Sequence, residues 1–252
     1  MTIPDFNPMP VHIVLGASGG IGSALCKRLV KNHGASLVLG GRRADTLDAL
    51  ASELNGHALH GDATDPDYVN RLVERAKELH GRVDGLVNCV GSVLLKPAHL
   101  TTFEEFNQTI ATNLTTAFSC VRAGANAMRE SGGSIVLLGT AASLIGLSNH
   151  EAIAAAKAGI TGLALSAAAT YASRNIRVNV VAPGLTRTPL TARLTQNEAS
   201  AKASMAMHPL GRLGEPDDVA RAIEFFLDPC NSWITGQVLA VDGGLSTLKL
   251  KG

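Results

Sequence analysis

Val11-His-Ile-Val-Leu-Gly-Ala-Ser-Gly-Gly-Ile-Gly22 decides the fold: an apolar strand runs into a glycine-rich turn, and a helix begins inside the turn. Such a junction lets backbone N–H groups approach a pyrophosphate, while the helix that follows directs its partial positive charge at the same point. Gly16, Gly20 and Gly22 are spaced for three tasks. Without a Cβ, the first makes a tight turn, the second admits phosphate to the backbone, and the third lets helix and strand touch. Ser18 and Ile21 complete the turn as further candidate contacts to the nucleotide.

Working outward, β-branched or leucine-rich runs at 11–16, 36–40, 57–60, 84–89, 134–139, 176–181 and 237–241 alternate with helix-length segments. Those segments span 21–31, 44–54, 66–79, 103–128, 151–173 and 216–227. Repeated strand-helix-strand units with right-handed crossovers predict an α/β fold of Rossmann type. The expected architecture is a doubly wound, seven-stranded parallel sheet with helices on both faces, in a single domain over residues 1–252. Residues 184–215 break the rhythm between two core strands. Such a stretch is expected to be a substrate loop or lid, or alternatively a surface excursion with a short helix of its own.

With 46% hydrophobic and 17% charged residues among 252, the chain is expected to bury a substantial core and not to be disordered. A formal net charge of +1 supplies no basic field, and 4% aromatic residues leave few rings on which bases could stack, so nucleic acid is not an expected partner. No apolar run looks long enough to span a membrane, and the first ten residues lack the basic flank and apolar segment of a signal peptide. A soluble, cytoplasmic protein is therefore expected. Cys26, Cys89, Cys120 and Cys230 are widely separated and read as reduced thiols in mostly apolar surroundings. No paired acids or metal-ligand spacing stand out.

The second strand ends in Leu39-Gly-Gly-Arg-Arg43, without the acid that would hold a free ribose diol. Arg42 is the candidate reader of a 2′-phosphate, so NADP(H) is preferred as cofactor and NAD(H) is the alternative. Arg42 and Arg43 also read as the solvated start of a helix. Asp62, at the end of the third strand, is a candidate for the adenine amino group or a helix cap, although Thr64 and Asp65 are better placed to cap.

The order of motifs from Val11 to Gly244 resembles the classical short-chain dehydrogenase/reductase family. The glycine turn is followed by Asn88-Cys-Val-Gly91, similar to the family's Asn-Asn-Ala-Gly strand end, and by Asn113 in Ala-Thr-Asn-Leu-Thr. Then come Gly133-Ser-Ile-Val-Leu-Leu-Gly-Thr140, Lys157 in Ala-Ala-Ala-Lys-Ala-Gly, and Ile176-Arg-Val-Asn-Val-Val-Ala-Pro-Gly184. Gly211-Arg-Leu-Gly-Glu-Pro-Asp-Asp-Val-Ala220 and Thr235-Gly-Gln-Val-Leu-Ala-Val-Asp-Gly-Gly244 complete the series.

That resemblance implies reduction of a small carbonyl compound, or oxidation of an alcohol, with a tyrosine as proton donor and a serine polarising the carbonyl. It further implies a lysine that binds the nicotinamide ribose and an asparagine that positions a water. Carried over by position, Asn113 and Lys157 match, Thr140 replaces serine, and Ile153 replaces the tyrosine. A threonine hydroxyl retains the donor and acceptor of serine; isoleucine has no proton to give. Tyr68 lies in an outer helix, and Tyr171 is about 21 Å along the helix axis from Lys157.

His150, one turn before Ile153, is the replacement candidate for proton transfer; the alternative is a polar residue at a helix start. Gly91, Pro183, Gly184, Thr186 and Thr188 join the implied cofactor contacts, with Thr188 at the position that holds the carboxamide, or as a simple turn hydroxyl. The resemblance implies a homodimer or homotetramer built partly from helices near 103–128 and 151–173. Arg187, Arg193 and Lys202 are candidates for an anionic substrate group, or scattered surface bases. Two readings stand: an oxidoreductase with a non-standard proton route, or a catalytically inactive nucleotide-binding sensor or scaffold.

Overall fold

β1 (Val11–Leu15) is buried along its whole length, as a parallel strand must be when helices cover both faces of its sheet. The computed structural model describes residues 9–249. Residues 1–8, which carry most of the leader reading, and 250–252, at the end of the expected domain, lie outside them. After β1 come α1 (Gly20–His33), β2 (Ser36–Gly41), α2 (Ala44–Leu54), β3 (His57–His60), α3 (Pro66–His80) and β4 (Gly85–Asn88). The chain continues through α4 (Phe103–Ile110), α5 (Thr116–Ala127), β5 (Gly133–Leu138), α6 (Glu151–Tyr171) and β6 (Ile176–Pro183). Beyond it lie α7 (Ala192–Thr195), α8 (Glu198–Met207), α9 (Pro216–Leu227) and β7 (Val238–Val241).

The expected fold class is what forms: a seven-stranded sheet in the order β3-β2-β1-β4-β5-β6-β7. Every pairing in it is parallel. Strand order reverses between β1 and β4, where Leu15 is in register with Asn88, and that reversal opens the crevice in which such folds bind ligands. Alternate side chains of β1 enter different cores. Ile13 and Leu15 pack with Leu72, Cys120 and Ile160 under α3, α5 and α6. Val14 packs with Leu25, Leu47 and Phe226 under α1, α2 and α9.

The continuous helix expected over 103–128 is divided, because a π-helical turn at Ala111–Thr115 separates α4 from α5. Residues 184–215 carry the short helices α7 and α8, and part of the segment lines a cleft at the end of the sheet. One expectation fails. Glu151–Arg174 is long and apolar enough to cross a membrane by length and composition, with a mean hydropathy of 1.5. Its Ala152, Ala156, Ile160, Ala164 and Ala168 are buried, and Ile160, Ala164 and Ala168 belong to the core beneath the sheet, so alanine-rich packing against strands accounts for the hydropathy. Cys26 and Cys120 are buried free thiols as expected, whereas Cys230 is exposed.

Candidate active site

Gly16 adopts φ +72°, and a Cβ there would lie 2.9 Å from the Cys89 carbonyl carbon. The turn is thereby pressed against the end of β4, with Gly16 N–H donating to the Gly40 carbonyl at 2.9 Å. A Cβ at Gly22 would collide with the Gly16 carbonyl oxygen and stand 2.9 Å from the Ala17 Cα. The positive φ at Gly16 makes the tight turn expected of the first glycine, and the crowding at Gly22 is the close helix–strand contact expected of the third. Gly20 and Ile21 open α1, whose first-turn N–H groups have no carbonyl within the helix to bond. That turn carries no acid, and the N-cap, Gly19, contributes no side-chain hydrogen bond, so the amides face the crevice without a competing anion. The cradle fits a diphosphate by its backbone and by its charge.

Beyond the turn, the two arginines divide their contacts. Arg43, not Arg42, reaches the turn itself and donates to the Ser18 carbonyl at 3.0 Å. Arg42 extends into solvent 3.9 Å from the Asp62 carboxylate. Asp62 accepts from the Thr64 amide and hydroxyl at 2.9 and 2.8 Å, and these bonds hold its carboxyl below the ordinary range. Asp65 caps α3. Tyr68 is buried behind this edge, donating to the Leu59 carbonyl at 2.6 Å and accepting from the Gly41 amide at 2.8 Å. Burial pushes its phenol up to about 12, and its hydrogen is given to the Leu59 carbonyl, away from the cleft.

At the other end, an open cleft is lined by Ile21, Gly91, Thr140, His150, Ile153 and Lys157, and by Pro183, Gly184, Thr186 and Thr188. These residues meet here although they come from segments more than a hundred positions apart, whereas Gly16, Ser18, Gly20, Gly22, Arg42, Asp62, Asn88 and Asn113 are not part of the lining. Lys157 is buried and donates to the Leu138 carbonyl at 2.8 Å. Desolvation pulls its ammonium down to about 8. Thr140 is extended, and its hydroxyl oxygen accepts from the Ala142 amide at 3.4 Å, a bond that leaves its own hydrogen free to donate.

Asn113 sits in the π-helical turn, fully buried. Its Nδ2 donates to Ser92 Oγ and to the Thr109 carbonyl, both at 2.9 Å, and its Oδ1 accepts from the Ser92 amide at 3.2 Å. Asn113 therefore pins the loop after β4 to the cleft, and wide turns of this kind recur where a helix serves a site. Asn88 is a scaffold residue of the same corner, donating to Thr116 Oγ1 at 3.1 Å and accepting from the Val90 amide at 3.0 Å.

His150 Nδ1 lies 2.7 Å from the Ser148 carbonyl. A carbonyl can only accept, so Nδ1 carries a hydrogen, and Nε2 is the nitrogen left to take up and release a proton. Ile153, 5% exposed, lines the cleft one helical turn before Lys157.

Thr188 closes the cleft toward the glycine turn: a Cβ on Gly20 would stand 2.9 Å from its Cγ2. Its hydroxyl accepts from the Thr191 amide at 3.3 Å, so it also caps the turn that leads into α7. Thr186 is buried and donates to the Gly184 carbonyl at 3.1 Å.

Sequence reading missed His208, which is buried and lines the same cleft. Its Nδ1 faces the Ser204 carbonyl at 2.6 Å, and its Nε2 accepts from the Leu185 amide at 3.2 Å. The available signal was a histidine just before Pro209 in the segment that interrupts the strand-helix rhythm. Ser92 was missed as well, and no local pattern marks it.

A family model described as enoyl-(acyl carrier protein) reductase matches residues 16–246. The 3alpha-hydroxysteroid dehydrogenase of Mediterraneibacter gnavus is 37% identical over 243 residues, which cover 92% of this chain and 95% of that protein. A short-chain type dehydrogenase/reductase from Mycobacterium ulcerans superposes with a TM-score of 0.88 at 31% identity, covering 94% of this chain and 90% of the other. ElxO, solved with NADP bound, gives a TM-score of 0.88 at 28% identity, covering 96% of this chain and all of that one (100%).

Proposed function

The chain belongs to the short-chain dehydrogenase/reductase family, and from that membership we propose that it interconverts a carbonyl compound and an alcohol with NADP(H), by a proton route that uses no tyrosine. The observation that carries the reading is the convergence of Thr140, His150 and Lys157 on one cleft beside the glycine turn, with Ile153 between them. The amides of Gly20 and Ile21 would hold the diphosphate, Arg42 or Arg43 the 2′-phosphate, Asp62 the adenine, and Lys157 and Thr188 the nicotinamide half. When bound, the nicotinamide supplies or accepts a hydride. NADP bound to ElxO favours the phosphorylated cofactor, and the exposed guanidinium of Arg42 and the absence of an acid at the end of β2 point the same way.

In this reading Thr140 donates its hydroxyl hydrogen to the substrate oxygen, and His150 Nε2 delivers or removes the proton there. Asn113 holds the loop at Ser92 that shapes the corner. Loss of a positioned acid costs about 10²- to 10⁴-fold in rate, so a reduced turnover is expected from a site that keeps its orientation and its hydroxyl.

A second reading, a nucleotide-binding scaffold without catalysis, is favoured by the near-complete burial of Ile153 among apolar neighbours. Phe103 and Phe118, 87% and 54% exposed on α4 and α5, also support the homo-oligomer that these helices would build.

Calorimetric titration of nucleotide-free protein with NADPH and NADH tests the cofactor, with tighter binding of NADPH expected; binding of neither would defeat the proposal. His150→Ala tests the proton route. Turnover should fall while the Kd for NADPH holds, and unchanged turnover would remove His150 from it.

A further inference from the structure

We propose that the molecule received by this cleft is bulky, apolar and uncharged, and that acids and phosphate esters are excluded from it; the inference rests on the reading of the cleft as a substrate site. Apart from Lys157, the imidazoles of His150 and His208, and the Cys89 thiol, no ionisable side chain lines the cleft among the described residues. Lys157 gives one of its three donors to the Leu138 carbonyl, and in the proposed reading the cofactor's ribose takes the others. Both ring nitrogens of His208 are engaged, and burial keeps Cys89 protonated, with its thiol pushed up to about 12.

The bases that the sequence offered to an anion are elsewhere. Arg187 is paired with Glu215 at 3.3 Å, and Arg187, Arg193 and Lys202 are absent from the lining. A carboxylate or phosphate resting on the walls between the mouth and Thr140 would lose its hydration without gaining a partner there, which is strongly unfavourable.

The walls say what fits instead. Val93, Leu95, Leu147, Leu190, Leu194 and Met207 face the cleft, drawn from the loop after β4, the loop before α6, and the 184–215 segment. Four of them form a rim that remains open to water: Val93 is 40% exposed, Leu95 39%, Leu190 56% and Met207 48%. A small ligand seated at Thr140 leaves that rim wet. A ligand that extends over it gains about tenfold in affinity for each ~55 Å² of apolar surface removed from water. Met207 suits such a wall because its unbranched thioether adapts to varied shapes. Polar groups at the reacting end, the Thr140 hydroxyl and the His150 ring, match a single oxygen function on an otherwise hydrocarbon body.

Calorimetric titration with three ketones, in the presence and absence of NADP⁺, reads this directly without turnover. The probes are methylcyclohexanone, a cyclohexanone carrying a carboxylate in place of the methyl, and decalone, a fused two-ring ketone. Decalone should bind about tenfold or more tightly than methylcyclohexanone, and the oxo acid at least about tenfold more weakly than either. Leu194→Arg should reverse the order between the oxo acid and methylcyclohexanone.

Equal or tighter binding of the oxo acid to the unmodified protein, no gain with size, or no binding of any probe would overturn the proposal. Ketone selectivity in a protein that binds no nucleotide would instead sink the cofactor reading and leave this one standing.

Discussion

His208 accepts the Leu185 N–H at Nε2, 3.2 Å away, while its Nδ1 faces the Ser204 carbonyl at 2.6 Å. One ring thus ties α8 to the turn that follows β6, and it also fills the space beside Gly184, where a Cβ would come within 2.6 Å of Nε2. His208→Phe should leave the Leu185 N–H without a partner at a cost of about 1–3 kcal/mol. Hydrogen exchange at Leu185 should accelerate and the KM for substrate should rise more than kcat falls. His208→Gln, which keeps an acceptor, should recover part of both.

Ile153→Tyr puts a phenol one helical turn from Lys157, whose amine is already buried in the cleft. If the rest of the site is intact, NADPH-dependent ketone reduction should rise by roughly 10²- to 10⁴-fold, read as absorbance loss of NADPH. No gain at all would favour the scaffold reading.

Lys157 sets a pH dependence of defined sign. Burial lowers its ammonium from 10.5 to about 8, so between those values the unfolded chain binds more protons than the folded one, and stability rises with pH across that window. Below about pH 8 the buried charge costs on the order of 3 kcal/mol. Lys157→Met should therefore stabilise the nucleotide-free protein near neutrality while abolishing tight NADPH binding. The anionic cofactor should also raise the amine's proton affinity, so NADPH binding near pH 8 should take up a fraction of a proton. Calorimetry in two buffers of different ionisation enthalpy measures it.

His12 titrates at the opposite end of β1. It is buried, its Nδ1 has no hydrogen-bond partner among the described residues, and desolvation pulls it down to about 4. From pH 6.5 down to about 4 the unfolded imidazole takes a proton that the folded one refuses, and stability is lost over that range, by about 3 kcal/mol in all. His12→Leu should make the acid limb of the stability curve shallower, as followed by urea denaturation at several pH values.

Gly22→Ala tests the phosphate cradle as packing. Its new methyl would meet the Gly16 carbonyl and the Ala17 backbone, neither of which can swing away. A loss of about 1–3 kcal/mol in stability is expected, together with weakened NADPH binding, since relief requires α1 to shift from the end of β1. Retained affinity would show that the diphosphate does not depend on this contact.

Contiguous residues determined the succession of strands and helices and the glycine turn. Val11 to Leu15 followed by spaced glycines states a strand, a turn and a helix because each property belongs to neighbours in the chain: a short apolar run, missing Cβ atoms, an open helix end. The spacing of Ile153 and Lys157 was legible for the same reason, as an offset of four residues along one helix. Tertiary structure decided the rest. It chose Arg43 over Arg42 to touch the glycine turn, buried Tyr68 against Gly41 and Leu59, and divided the 103–128 helix at Asn113. It also set His208 against Leu185 and brought Val93, Leu147 and Leu194 from three distant segments to one apolar mouth. Local pattern fixes which face of an element is apolar, but which side chain fills a given space depends on the elements packed opposite, and those come together only when the sheet closes on its helices.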